Sequence, residues 1–182
     1  MSNTLLDVQN LTMKFGGLVA IDDLTFSAKK DNITSIIGPN GAGKTTVFNC
    51  LTGFYKATAG SMYLNKDDNK MDLKKFSDFK VAQKAGVART FQNIRLFPQM
   101  SVLENMMVAQ HNKLMKASGF SILGLINSKS YLQQEKEAME ISKYWLDIIG
   151  LTNRADDNAG DLPYGDQRKL EIVRAMCIEP HL

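Results

Sequence analysis

Residues 38–46 carry the residue types and spacing that wrap a backbone around phosphate. They read GPNGAGKTT and fit the pattern G-x-x-x-x-G-K-[ST] at each required position. Glycines let backbone N–H groups approach an anion closely, and a following helix adds its positive end. In such a loop the lysine reaches the β- and γ-phosphates, and the next hydroxyl ligates Mg²⁺. The predicted phosphate-binding residues are Gly38, Pro39, Asn40, Gly41, Ala42, Gly43, Lys44, Thr45 and Thr46.

The flanking residues predict the elements that position this loop. Residues 33–37 are apolar and β-branched, which predicts a buried strand before the loop. Residues 45–52 lack Gly and Pro and predict a helix closed by Gly53. The other predictions for this half are strands at 5–8, 24–26, 60–64 and 86–91, a turn at 16–17, a polar loop at 65–70 and a helix at 73–85.

From Pro98 the pattern becomes helical. Ser101 and Glu104 form a capping-box pattern that opens a methionine-rich helix reaching about residue 115. The methionines favour core packing, with an adaptable partner groove as the alternative. A long amphipathic helix is predicted over 131–150, and a third helix follows Pro163 and Gly165, with its N-terminus open to an anion. An all-helical insert therefore lies between two parts of an α/β core.

Two single residues allow both a structural and a functional interpretation. Phe15 precedes Gly16-Gly17, where it is either a half-buried strand aromatic, the interpretation favoured by spacing, or a platform for an adenine ring. Gln92 ends a predicted strand, where it is either an ordinary polar strand end or a side chain that faces a ligand, as at the carboxyl ends of strands in open α/β folds. Residues 65–68 read NKDD, a guanine-reading pattern by letter, but they follow the phosphate loop too closely and suit a solvated turn.

Composition limits the class of protein. The 182 residues suit one domain, and the scattered net charge of +3 does not predict a nucleic-acid partner. Cys50 and Cys177 lie far apart and resemble free thiols in a reducing compartment. The N-terminus does not resemble a signal peptide, and no apolar run approaches the ~20 residues of a membrane span. The expectation is a soluble, cytosolic protein.

In combination, the motifs resemble the nucleotide-binding subunit of an ABC transporter. GPNGAGKTT resembles the Walker A motif, Gln92 in ARTFQ matches the Q-loop glutamine, and LPYGDQRKLEIVRA resembles the signature motif. The order of the motifs and the helical insert also match, and the resemblance covers the whole chain. The runs FGGLVAIDDLTF, LTGFYKATAG and ARTFQNIRLFPQMSVLENMMVAQH, with the YGDQ signature, are most similar to ATPases of branched-chain amino-acid importers.

This resemblance implies a fold and a division of the chain. The fold is α/β, a P-loop NTPase (RecA-like) core with an N-terminal antiparallel β-subdomain and an inserted all-helical subdomain. The implied domains within residues 1–182 are an α/β core at 1–91, a Q-loop and helical subdomain at 92–165, and a signature helix at 166–182.

The resemblance also implies roles and partners. The cofactors are ATP and Mg²⁺, Phe15 stacks on adenine, Lys44 and Gln92 are catalytic, and Thr45 and Gln92 ligate the metal. In a head-to-tail homo- or heterodimer, the signature binds the other subunit's ATP through Leu162, Pro163, Tyr164, Gly165 and Asp166. Membrane permease subunits dock on the helical insert, next to Gln92, so the implied location is peripheral, at the cytoplasmic face of the (inner) membrane.

The sequence departs from the family pattern in two places. Pro163 replaces the usual serine of the signature and removes a hydroxyl donor, which predicts weaker binding of the ATP held by the other subunit. No apolar strand ending in Asp-Glu follows the signature, so the Walker B aspartate, the general base and the switch histidine are missing from these residues. The chain is therefore expected to be a truncated copy of the family domain, with doubtful activity on its own.

Four functions remain as hypotheses. The first is the ATPase subunit of an importer for branched-chain or similar hydrophobic amino acids. The second is an ABC ATPase that exports lipid or lipopolysaccharide, because that class shares much of the pattern. The third is a fragment that binds nucleotide without hydrolysis. A P-loop kinase or GTPase is the most distant, since neither explains LPYGDQ.

Overall fold

The computed structural model describes residues 3–66, 69–76, 80–112 and 129–182. These residues belong to two compact units, Met1–Val87 with His181–Leu182, and Ala88–Pro180. Each unit buries its own cluster of apolar side chains.

The first unit is built on a four-stranded antiparallel sheet with the order β2-β1-β3-β4. The strands are β1 (Thr4–Phe15), β2 (Leu18–Lys29), β3 (Ala59–Lys66) and β4 (Asn69–Asp72). In β1 the buried positions Leu6 and Val8 lie two apart, as expected for a strand with one face on a core. Gly16 adopts φ +57° in the predicted turn between β1 and β2.

The predicted strand at 33–37 is not formed. These residues lie outside every strand that the structure describes, and Ile33 and Ile37 are 99% and 92% exposed. Only Ile36 packs against the core of the first unit. A strand needs a hydrogen-bonded neighbour, and no described strand pairs with this segment, so its apolar composition alone does not make it a strand.

Three other predictions for this half are wrong in detail. Residues 65, 66, 69 and 70 belong to strands rather than to a loop, because β3 continues to Lys66 and pairs with β4, which begins at Asn69; residues 67–68 lie outside the described part. Residues 73–85 do not form one α-helix: a 3₁₀ turn at Leu73–Lys75 is capped by the Asp72 carboxylate, a π-helix occupies Val81–Ala85, and residues 77–79 lie outside the described part. Residues 86–91 are irregular, again without a pairing strand.

The predicted helices near the motifs are confirmed. They are α1 (Lys44–Leu51), α2 (Val102–Ala109), α3 (Lys129–Ile148) and α4 (Tyr164–Met176). The capping box that opens α2 is present, because Ser101 Oγ accepts from Glu104 N at 3.1 Å and Glu104 Oε2 accepts from Ser101 N at 2.7 Å. Helix α2 ends at Ala109, with Gln110 as its C-cap, so it stops short of the predicted end near residue 115; residues 113–128 lie outside the described part.

The second unit packs α2, α3 and α4 around one apolar cluster that includes Met106, Leu146 and Leu170. Met106 is fully buried, which agrees with a core role for this methionine. Asn105 is also fully buried, and its carboxamide exchanges two hydrogen bonds with the backbone of Phe97 at 2.9 and 3.0 Å. This amide fixes the loop before α2 to the helix.

Candidate functional site

The phosphate loop joins residue 38 to the start of α1 in the first unit. Gly43 is the N-cap of α1 with φ +81° and ψ 6°, and Gly41 has φ +84°. A Cβ on Gly43 would lie 2.4 Å from the carbonyl oxygen of Ala20, whereas a Cβ on Gly41 would meet open space. The loop therefore requires glycine at 43 for conformation and for close approach to β2, and at 41 for conformation alone.

Lys44 is held over the loop by two backbone carbonyls. Its Nζ donates to the oxygen of Gly38 at 2.7 Å and to that of Pro39 at 2.6 Å. These neutral acceptors keep the ammonium beside the loop that a phosphate would enter. A phosphate oxygen would be a stronger acceptor, because charge-assisted hydrogen bonds are roughly twice as strong as neutral ones.

The loop and helix α1 also fit a nucleotide with its metal. The first turn of α1 contains no acidic residue, so its positive end is not neutralised from within the helix. Thr45 lies in that turn, and Mg²⁺ accepts one or two protein oxygens together with phosphates and waters. Within the described ranges, no group of three His, Cys, Asp or Glu side chains could hold a metal by itself.

Phe15 lies at the last position of β1 in the same unit. It is 41% exposed, and its ring meets Tyr55 edge-on, with a centroid distance of 5.2 Å and an interplanar angle of 78°. The contact with Tyr55 orients the ring, and part of Phe15 remains exposed.

The signature residues gather at the start of α4 in the second unit. Leu162 is buried, Pro163 is the N-cap, and Tyr164 is 68% exposed. Gln167 Nε2 donates to the Leu162 carbonyl at 2.8 Å, and Asp166 pairs with Lys169 at 2.9 Å. The buried Leu162 side chain and the hydrogen bond from the Gln167 side chain thus fix the chain where the helix begins.

Gln92 lies in an irregular segment of the same unit, and helix α4 holds the backbone around it. Arg168 Nη1 donates to the Phe91 carbonyl at 2.7 Å, and its Nη2 donates to the Gln92 carbonyl. Glu171 accepts from Arg95 N at 3.1 Å and pairs with Arg168 at 2.7 Å. The segment is thus tied to the helix that follows the signature.

Several guanidinium groups share this region. Arg89 and Arg95 lie over the ring of Phe91, at 5.0 and 4.2 Å from its centroid. Burial, followed by the charge of Arg95, lowers the pKa of Arg89, and burial lowers the pKa of Arg174 despite Glu171. The hydrogen bond with Glu171, followed by one with Tyr164, raises the pKa of Arg168. Glu171 is the one carboxylate among these contacts.

Comparison with known proteins decides the family. The family model described as "ABC transporter" matches residues 21–182. The chain belongs to the ABC transporter family. As an ABC transporter domain it has the α/β P-loop fold, with an antiparallel sheet and helices. No helix among the described residues is both long and apolar enough to span a bilayer.

The relatives of this ABC domain include proteins named for one substrate class. It is 45% identical over all 182 residues to the high-affinity branched-chain amino acid transport ATP-binding protein BraF of Pseudomonas aeruginosa, of which it covers 68%. It is 47% identical to LivG of Escherichia coli K12, a protein with the same description, again over the whole chain and 68% of the relative.

Solved ABC structures share the fold. The ADP conformation of MJ1267, an ATP-binding cassette of an ABC transporter, superposes with a TM-score of 0.77 at 32% identity, covering 98% of this chain and 66% of that one. A dimeric post-hydrolysis state of the cassette MJ0796 with ADP and phosphate gives a TM-score of 0.70 at 22% identity and supports the fold alone; that match covers 97% of this chain and 71% of that one.

The structure groups most of the predicted residues and adds others. The phosphate loop and Phe15 belong to the first unit, and Gln92 belongs to the second with the signature. Sequence reasoning missed Arg168, Glu171 and Tyr55. The spacing of Arg168 and Glu171, three apart on a helix, was the available signal for an ion pair. Their backbone partners have no such signal.

Proposed function

We propose that this chain is the ATP-binding and ATP-hydrolysing subunit of an ABC importer for branched-chain amino acids. The observation that carries the proposal is the 45–47% identity, over all 182 residues, to proteins named for that transport. The geometry of the phosphate loop supports the nucleotide part, because a Cβ on Gly43 has no room and the Lys44 ammonium lies over the loop.

Each binding residue has a distinct role in this proposal. Phe15 stacks on adenine, Lys44 leaves its carbonyl acceptors for the β- and γ-phosphates, and Thr45 and Gln92 ligate Mg²⁺. When bound, the metal neutralises developing phosphate charge. The loop N–H groups and Lys44 orient the phosphates for attack by water.

Assembly is part of the same proposal. Two ATPase subunits face each other head to tail, so residues 162–166 of one bind the ATP of the other. Pro163 offers neither a hydroxyl nor a backbone N–H. Binding of the other subunit's ATP therefore depends on Gly165 and the free N–H groups at the start of α4. Residues 98–160 dock the permease at the cytoplasmic face of the membrane. The proposed domain boundaries after residues 91 and 165 separate the α/β core from this docking part.

The test combines ATP binding by the chain with uptake in the organism that carries the gene. Lys44→Ala removes the ammonium at the loop, and Lys30→Ala is the matched control, because Lys30 is exposed and contributes its backbone N–H to Asn3. We expect Lys44→Ala to abolish Mg²⁺-ATP binding by the chain and leucine uptake by cells, whereas Lys30→Ala preserves both.

Other outcomes select the alternatives. Unchanged leucine uptake with accumulation of lipid-linked material would indicate the exporter. ATP binding that depends on Lys44, without turnover by the complete transporter, would indicate a non-hydrolysing protein. ATP binding that survives Lys44→Ala would reject the phosphate-loop assignment itself.

A further inference from the structure

Helix α4 holds an irregular segment of the second unit at both of its ends. At the first end, Arg168 donates to the carbonyls of Phe91 and Gln92. At the second, Arg95 N donates to Glu171 Oε1 at 3.1 Å, and Arg174 Nη2 donates to the Arg95 carbonyl at 2.6 Å. Residues 91–95 lie outside every helix and strand that the structure describes, and the side chains of α4 hydrogen-bond their backbone at both ends.

The ion pair between Arg168 and Glu171 fixes the positions of the backbone groups that the two side chains bind. Glu171 is 2% exposed, and a buried carboxylate is tolerated only when its oxygens are paired. Oε1 accepts from Arg95 N and Oε2 from Arg168, so both oxygens are satisfied. The planar fork of arginine serves Glu171 and two carbonyls at once, which a lysine ammonium on a flexible stem does poorly. An apolar residue at 171 would fill the same space but would not hold Arg95 N.

We propose that Arg168 and Glu171 are positioning residues that fix the backbone on either side of Gln92. Their effect on ATP passes through the Gln92 side chain. This inference rests on the function proposed above, because the role of Gln92 as a metal ligand comes from there. Arg168 lies one turn from Tyr164, so the same contact also joins the Gln92 segment to the start of the signature helix.

The test uses conservative variants that keep the helix and the side-chain volume. These are Arg168→Lys and Glu171→Gln, and the control is Arg154→Lys. Arg154 forms an exposed pair with Asp157 at 2.7 Å in the same unit, away from this segment in sequence. The fluorescence of Trp145, the single tryptophan, checks that the second unit keeps its fold in every variant.

The first measurement is amide hydrogen exchange of Arg95, whose N–H donates to Glu171, in the 182-residue chain. We expect exchange about tenfold faster in Arg168→Lys and Glu171→Gln, because each loses a hydrogen bond to a charged group, and no change in Arg154→Lys. Unchanged exchange in both variants, with a native Trp145 spectrum, would overturn the proposal. This measurement needs no nucleotide, so it is independent of the proposed function.

The second measurement is the ratio of ATP dissociation constants without and with Mg²⁺. Loss of positioning should lower this ratio about tenfold in Arg168→Lys, as in Gln92→Ala, while affinity without metal is unchanged. The double variant should lose no more than Gln92→Ala alone. If Arg168→Lys lowers the ratio equally in the Gln92→Ala background, its effect does not pass through Gln92 and the proposal is wrong.

The two measurements separate failure of the inference from failure of the function. If the parent chain binds ATP no better with Mg²⁺, the metal role of Gln92 is rejected, whereas faster exchange in the variants still supports the backbone contact. If the parent shows the metal effect and the variants keep it, the function stands and the positioning role falls.

Discussion

The two left-handed glycines of the phosphate loop differ in their surroundings, so one substitution can be made at each with different expected costs. Gly41→Ala places a methyl group in open space, and Gly43→Ala places one 2.4 Å from the carbonyl oxygen of Ala20. Both residues have nearly the same φ, +84° and +81°. Gly41→Ala therefore measures the conformational cost alone, and the difference between the variants measures the collision with β2.

The magnitudes follow from this geometry. An alanine in the left-handed region costs about 1–2 kcal/mol at either position. Alanine also makes the unfolded chain less flexible than glycine does, which offsets about 0.4–1 kcal/mol of this cost. This offset is the same in both variants, so it cancels when they are compared. At Gly43 the contact is about 0.6 Å closer than the 3.0 Å that real Cβ atoms respect, and its neighbour is backbone, so the loop or β2 must move. Such overpacking costs about 1–3 kcal/mol more.

The assay is urea unfolding followed by circular dichroism, with the ATP affinity of each folded variant measured in parallel. We expect Gly43→Ala to lose about 1–3 kcal/mol more free energy of unfolding than Gly41→Ala, at an unchanged dependence on urea. Equal losses in the two variants would refute the reasoning, because the contact with Ala20 would then carry no cost.

Two further predictions concern buried polar groups. Asn105→Ala should lower the free energy of unfolding by about 2–4 kcal/mol, because it leaves the N–H and carbonyl of Phe97 unpaired. Gln133→Ala removes an exposed amide and should change the free energy of unfolding by less than about 0.5 kcal/mol. Similar losses in the two variants would contradict this prediction. Burial raises the pKa of the Cys50 thiol above its ordinary range, so the unfolded chain releases that proton first and stability falls as pH rises through the ordinary range of a thiol. Cys50→Ala should reduce that fall, and rapid alkylation of the folded parent would contradict the burial.

Features fixed by neighbouring residues could be predicted from the sequence. The phosphate loop is defined by local glycine conformations, and the capping box of α2 is closed between Ser101 and Glu104. Helix α4 is present as the residue pattern indicates, although it begins at Tyr164 and so includes Gly165, which was expected to precede it. In each case the side chain that pairs with the backbone lies within six residues along the chain.

Features that depend on distant partners could not be predicted in the same way. The composition at 33–37 suits a strand, but pairing decides whether one forms, and no described strand supplies it. The Gln92 carbonyl finds its donor in Arg168, 76 residues later in the chain. Resemblance to a family identified Gln92 as important, yet only the folded chain indicates which side chains hold it.

The bare apolar segment at 33–37 also bears on how this chain behaves at high concentration. It reads ITSII, without a charge or a proline, and Ile33 and Ile37 project into water. Short uncharged stretches of this composition template cross-β association between copies, and natural proteins interrupt them with charged gatekeepers. Because Ile33 is 99% exposed, lysine there would sacrifice no packing in this fold. That exchange should raise the solubility limit of the chain.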